Sequence, residues 1–286
     1  MTDPATDRRA SHTPRSLGFR RPAAIGLLAL ALAAGAAVPG ARAMVPHKAV
    51  YDLSLAKSRS SQAASGISGR IVFTWRDVCD GWSVDYKAQM RVSFGERGTQ
   101  QIAWQYTAWE RADGERFRFF TRRSSGGGDP ERRRGSARIT PGEGGTATLE
   151  QPRARTVQLP ADTMFPKAHS EAMIDRARAG ETFFWRHVFD GTGDGNGLFG
   201  VNAIVIGEVA ANESLPIDHP LIADQRSWRM QLAFFPNGQR QSTPESEQVT
   251  RLFANGVAGA IRIDYGDFVV DADLAELSKL EAETCE

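Results

Sequence analysis

Trp82-Ser83-Val84-Asp85-Tyr86-Lys87-Ala88-Gln89-Met90-Arg91-Val92-Ser93-Phe94 alternates without a break, apolar at every even position and polar at every odd one. Successive side chains of a strand point to opposite faces, so a period of two gives one dry face and one wet face. A half-buried antiparallel strand is the setting that such a pattern requires. These thirteen residues would span ~43 Å at ~3.3 Å each. Every strand twists right-handedly, so one this long cannot stay flat, and a strongly coiled sheet is expected.

The same period recurs at Ile102, Trp104, Tyr106 and Ala108, at Trp228, Met230, Leu232 and Phe234, and at Ile261, Ile263 and Tyr265. Shorter strands are expected at 48–57, 67–77, 115–122, 136–140, 145–150, 154–159, 182–190, 199–209, 247–253 and 267–271. Asp80-Gly81, Asp113-Gly114, Asn237-Gly238 and Asn255-Gly256 separate many of them with hairpin chemistry. The chain therefore reads as mainly β, a single long antiparallel meander of roughly fourteen strands. One helix of about 14 residues is expected, opened by Pro166 and closed by Gly180 after Arg176 and Arg178. Ala168, Ala172, Met173, Ile174 and Ala177 supply its apolar positions, and a lone helix in a β chain plugs or crosses a sheet. A short second helix is expected from Asp273 towards Cys285.

Residues 1–43 read as a secretory signal peptide. Arg8, Arg9, Arg15, Arg20 and Arg21 form a basic leader, and Ala23–Val38 carries no charge. Ala41-Arg42-Ala43 is an A-x-A cleavage site. The apolar run has 16 residues, short of the ~20 that span a bilayer comfortably. The expected product is a periplasmic protein beginning at Met44, with 44–286 as one domain and no integral membrane segment after cleavage. That product has 29 Lys plus Arg against 32 Asp plus Glu, a near-neutral balance that argues against nucleic acid as a partner. Arg122, Arg123, Arg132, Arg133 and Arg134 flank the Gly-rich stretch 124–130 and read as a solvated loop. Contact with anionic lipid headgroups is the other reading. Cys79 and Cys285 are the two cysteines of the chain. In an oxidising compartment an even number of thiols implies pairing, and two permit one connectivity.

A search for catalytic and metal-binding patterns finds none to transfer. No G-x-S-x-G elbow occurs, and His47, His169, His187 and His219 lack the spacing of zinc ligands. Asp190-Gly191-Thr192-Gly193-Asp194-Gly195-Asn196-Gly197 offers oxygen ligands, but its register misses the calcium loop and no bidentate Glu follows. It reads as a Gly-rich hairpin. Paired carboxylates across a cleft, as in a glycan hydrolase, leave no mark in the sequence either way. No cofactor is expected. Trp75, Trp82, Trp104, Trp109, Trp185 and Trp228 all fall in expected strands. On the inner face of a coiled sheet such rings either fill the core or line an apolar pocket. Trp82, Tyr86, Trp104, Tyr106 and Trp228 are the aromatics expected to face a ligand.

Val45-Pro46-His47-Lys48-Ala49-Val50-Tyr51-Asp52-Leu53, Gly66-Ile67-Ser68-Gly69-Arg70 and Cys79-Asp80-Gly81-Trp82 carry a family resemblance. Leu159-Pro160, Phe165-Pro166, His169, Ala177-Arg178-Ala179-Gly180-Glu181, Phe189-Asp190-Gly191 and Cys285 continue it to the end of the chain. With these segments the chain resembles the alphaproteobacterial envelope-integrity proteins of the EipB type. The resemblance implies a β-spiral or incompletely closed barrel in the periplasm, a Cys79–Cys285 bridge, and a role in keeping the envelope intact under stress. It supplies no catalytic residues. The expected function is non-catalytic: binding an envelope protein partner or a lipid-like ligand. A lipid or lipoprotein carrier with an apolar pocket, and an unrecognised wall or glycan hydrolase, are the competing readings.

Overall fold

The computed structural model describes residues 44–60, 63–193, 195–236 and 243–285. The expected leader at 1–43 and the Asn237-Gly238 turn lie outside the described residues. The first eight strands are β1 (His47–Ser58), β2 (Gly66–Val78), β3 (Gly81–Ser93), β4 (Thr99–Arg111), β5 (Arg116–Ser125), β6 (Glu131–Thr140), β7 (Gly144–Gln151) and β8 (Arg155–Leu159). A two-residue β9 (Thr163–Met164) leads into the helix α1 (Pro166–Arg178). Then follow β10 (Phe183–Phe189), β11 (Leu198–Glu208), a single turn α2 (Pro220–Ala223), β12 (Ser227–Pro236), β13 (Ser246–Phe253), β14 (Ala258–Asp264) and β15 (Phe268–Lys279).

All fifteen strands belong to one sheet in the order β8-β7-β6-β5-β4-β3-β2-β1-β15-β14-β13-β12-β11-β10-β9. The first and last strands pair with each other, so the sheet grows outwards from β1 and β15 in both directions. Its two edges, β8 and β9, are consecutive in sequence, with 160–162 between them. Four steps of chain reach at most about 14 Å, so the sheet must curl until its edges nearly meet. The result is a nearly closed, barrel-like meander.

Antiparallel pairing sorts the turns to two ends. Turns 79–80, 112–115, 141–143 and 254–257 lie at one end, and 94–98, 126–130 and 265–267 at the other. α1 lies across the first end. It buries His169, Met173, Ile174 and Ala177, and these pack with Trp75, Trp82, Phe184 and Trp228 in one core cluster. Further clusters gather Tyr51, Ile71 and Leu274 under β1, β2 and β15, and Phe117, Phe119, Phe165 and Phe189 beneath β5–β8.

Two expectations are corrected. The segment from Asp273 is not a helix, because β15 runs through it to Lys279. Leu, Ala and Glu favour helix, and Leu274 and Leu277 stand three apart. Between β1 and β15 the register jumps from Val50↔Glu276 to Tyr51↔Leu274, which leaves Ala275 as an extra bulged residue. The bulge resets the phase, so both leucines are buried while the segment remains a strand. The arginine-rich stretch is likewise strand rather than loop: Arg122 pairs with Arg132, Thr121 with Arg133 and Phe120 with Arg134. Only 126–130 turns, where Gly126 and Gly127 adopt positive φ of 64° and 84°.

Candidate functional site

The inward positions of β3 and β4 define the site. Tyr86 stands opposite Tyr106, and Ala88 opposite Trp104. The small Ala88 leaves room for the indole to lean towards Tyr86, with ring centroids 4.9 Å apart at 60°. Trp104 and Tyr106 follow at 6.5 Å. Across β5 the same row continues from Trp104 to Arg123 and from Tyr106 to Thr121. Tyr86, Trp104 and Tyr106 are half-buried, in contrast to the sealed rings around α1.

The polar atoms of this strip divide. The Tyr106 hydroxyl donates to the Asp190 carbonyl at 3.2 Å. The Tyr86 hydroxyl and Trp104 Nε1 form no hydrogen bond with the described residues, and neither is closed off from solvent. Burial raises the phenol pKa of Tyr86 and of Tyr106 above its ordinary value, so both remain neutral donors at any physiological pH. Tyr265, in the turn before β15, packs on Phe268 with ring centroids 5.4 Å apart, tilted by 40°, and is 46% exposed. Burial raises its phenol pKa too, while the charge on Arg123 works against that rise. The strip thus combines apolar faces, two uncommitted donors and a guanidinium at its far edge.

The Gly-rich segment between β10 and β11 closes one side of the strip. Its Gly195 carbonyl accepts from Arg133 at 3.2 Å and from Arg155 at 2.5 Å, two arginines on inward positions of β6 and β8. Asp190 accepts from the backbone and hydroxyl of Thr192 at 2.7 and 2.8 Å. Gly191 has φ +77°, and a Cβ there would lie 2.4 Å from the Phe119 ring. The glycine is needed both for the backbone and for the close approach.

Of the five aromatics expected to face a ligand, Trp82 and Trp228 are core residues. They are 9% and 2% exposed, and Trp82 packs edge-on to Trp75 at 5.9 Å. Cys79 and Cys285 are bridged with Cα atoms 5.5 Å apart, tying the two-residue β2–β3 turn to the tail after β15. His187 contacts Asp162 at 2.5 Å beside the sheet edge, and His169 stacks on Phe184 at 5.3 Å.

Sequence reasoning missed Glu110. It occupies the next inward position after Trp104, Tyr106 and Ala108, and an acid in that phase was the available signal. Phe165 provides no side-chain cap for α1. Glu110 supplies one from β4, its two oxygens accepting from the backbone N–H groups of Lys167 at 2.7 Å and Ala168 at 2.9 Å. Burial raises its pKa to about 7, although those two hydrogen bonds pull the other way. This carboxylate is committed to the helix terminus.

Fold and site together define a nearly closed, helix-plugged, β-barrel-like domain with an accessible aromatic strip. The EipB-like family matches residues 39–281, and the chain belongs to that family. It is similar to the cell envelope integrity protein EipB of Brucella abortus (strain 2308), 28% identical over 251 residues covering 86% of this chain and 88% of that protein. It is also similar to a crystal structure of a β-barrel-like protein of domain of unknown function DUF1849 from Brucella abortus. That superposition has a TM-score of 0.76 at 27% identity and covers 84% of this chain and 100% of the other.

Proposed function

We propose that this chain is an exported, non-catalytic periplasmic protein that supports envelope integrity by holding a lipid-like ligand along Tyr86, Trp104 and Tyr106. The named relative supports the envelope role, and no helix among the described residues is long and apolar enough to cross a membrane. The observation that carries the ligand is the half-buried strip whose Tyr86 hydroxyl and Trp104 Nε1 are unspent beside Arg123. An elongated apolar chain covers the rings, the two donors meet its polar linkage, and the guanidinium faces an anionic head.

Mass spectrometry of an organic extract of the protein, purified from the periplasm without detergent, tests this. A stoichiometric lipid, lost from Trp104→Ala, is the expected result. A clean extract would overturn the ligand and favour a protein partner. Phe183, Ile204 and Ile206 support that second reading: they are 54%, 39% and 55% exposed on β10 and β11, with Phe183 directly opposite Ile204.

A further inference from the structure

The outer face of β5 and β6 carries an arginine ladder. Phe117, Phe119 and Thr121 point inwards and are buried, so the alternate residues Arg116, Arg118, Phe120 and Arg122 point outwards. The register sets Arg116 opposite Arg138, Phe120 opposite Arg134 and Arg122 opposite Arg132. Six exposed guanidiniums, at 116, 118, 122, 132, 134 and 138, therefore share two adjacent strands. Their spacing is roughly 5 Å across the strands and 7 Å along them, over a length of roughly 20 Å.

Like charges placed directly opposite each other destabilise a sheet, and among the described residues no ion pair closes on any of the six, although the charge of Asp113 reaches Arg116. The cross-strand neighbours on β4 are Gln105, Thr107 and Trp109, and those on β7 are Thr146 opposite Arg138 and Gln151 opposite Arg134, all uncharged, with Glu150 the extra residue of the bulge beside Arg134. Asp113 pairs with Arg111 instead. Among the described residues neither it nor Asp129, Glu131 or Glu150 forms an ion pair with any of the six. Without these six, the residues from Met44 onwards hold 23 Lys plus Arg against 32 Asp plus Glu. The six arginines thus form a positive wall on a body whose remaining charged residues are acidic on balance.

We infer that this wall docks on a phospholipid surface rich in anionic headgroups. The array is regular and two strands wide, which suits a layer of phosphates rather than one buried phosphate. Two half-buried rings sit within it, each beneath a guanidinium: Arg118 lies 5.5 Å over Trp109, and Arg134 lies 5.8 Å over Phe120. Arginine interleaved with aromatic rings is the composition that settles at a headgroup boundary. The inference stands independently of any ligand in the barrel.

Co-sedimentation of the exported protein with phosphatidylcholine vesicles, with and without phosphatidylglycerol, is the test. The protein is expected to bind only the anionic vesicles, and more weakly as salt rises. Each arginine at the surface is worth about fivefold. The set Arg122→Gln, Arg132→Gln, Arg134→Gln should therefore lose about a hundredfold. Arg→Lys at the same three positions should retain binding, which keeps the test decisive if the Gln set misfolds. Lys48→Gln, Arg76→Gln and Arg91→Gln remove the same charge from exposed positions on β1–β3 and should lose less than tenfold. Equal loss from both Gln sets, or no preference for anionic vesicles, would overturn the docking face. Binding to soluble polyphosphate without retention on vesicles would overturn the membrane as its occupant.

Discussion

The two ends of the barrel treat the same residue type in opposite ways. Trp82, Trp104 and Trp228 all occupy inward positions of alternating strands. At the plugged end α1 spans the opening, held by Glu110 at its N-terminus and by Arg178 donating to the Ala254 carbonyl at 2.7 Å near its C-terminus. There Trp82 and Trp228 are sealed. Towards the other end Trp104 lies at the margin of the cluster under β1, β2 and β15, half-buried, and its nitrogen stays accessible. The role of an inward aromatic is therefore set by what lands on its strand from elsewhere in the chain, not by its phase within the strand.

The largest expected effect lies at the plugged end. The tail after β15 is fixed there by Leu280 N–H donating to the Pro46 carbonyl at 3.0 Å, by Glu283 N–H donating to Asp77 at 3.3 Å, and by the bridge. The bridge spans 206 residues, so Cys79→Ser with Cys285→Ser should cost at most about 5 kcal/mol by loop-closure scaling. Melting of oxidised and reduced protein measures this, with proteolysis near the C-terminus rising in step. Equal melting temperatures would take the bridge out of what seals this end.

A smaller effect separates the two ends directly. Trp228→Ala should cost about 3–5 kcal/mol in urea unfolding, as expected for a large side chain removed from a sealed core. Trp104→Ala should cost less, about 2 kcal/mol, because part of its ring still meets solvent. If the two variants unfold at the same urea concentration, the contrast between a sealed and an accessible end fails.

Much of this architecture was legible locally. The alternation at 82–94 became β3 at Gly81–Ser93, and Pro166 and Gly180 bracketed α1 within two residues. Legibility failed where the deciding force was distant. Leu274-Ala275-Glu276-Leu277 favours helix by itself, and only the vacant slot between β1 and β14 makes it a strand. In β5 the inward row runs Phe117, Phe119, Thr121, Arg123, so the apolar signal fades before the strand ends and the arginines read as loop. A two-residue β9 is too short to have a period. The candidate site was partly legible: the alternation gives the inward phase of Tyr86, Trp104 and Tyr106, but nothing in the sequence says that α1 packs with Trp82 and Trp228.

The subtlest effect belongs to two buried groups that both serve α1 and titrate in opposite senses. Burial lifts Glu110 from its ordinary 4.5 to about 7, with Glu171 adding to the rise while the Lys167 and Ala168 N–H groups and the Lys167 charge oppose it. Burial, helped by the charge on Arg186, lowers His169 from 6.5 to about 4. A carboxyl with a raised folded pKa contributes stability that is full below pH 4.5 and is lost as pH rises through about 7. A histidine with a lowered folded pKa contributes stability that is full above pH 6.5 and is lost as pH falls through about 4. Each contribution is on the order of 3 kcal/mol. Across the shared interval the slopes oppose each other, so these two groups together should leave the wild-type profile nearly level. Single variants should uncover them. Glu110→Gln removes the carboxyl's falling contribution, so its urea midpoint should gain on the wild type's as pH rises from 4.5 to 7. His169→Phe keeps the stacking on Phe184 but removes the histidine's rising contribution, so its midpoint should lose ground to the wild type's as pH rises from 4 to 6.5. Profiles that parallel the wild type in both variants would mean that the plugged end admits water to these groups, and the difference between the two ends would then be one of degree.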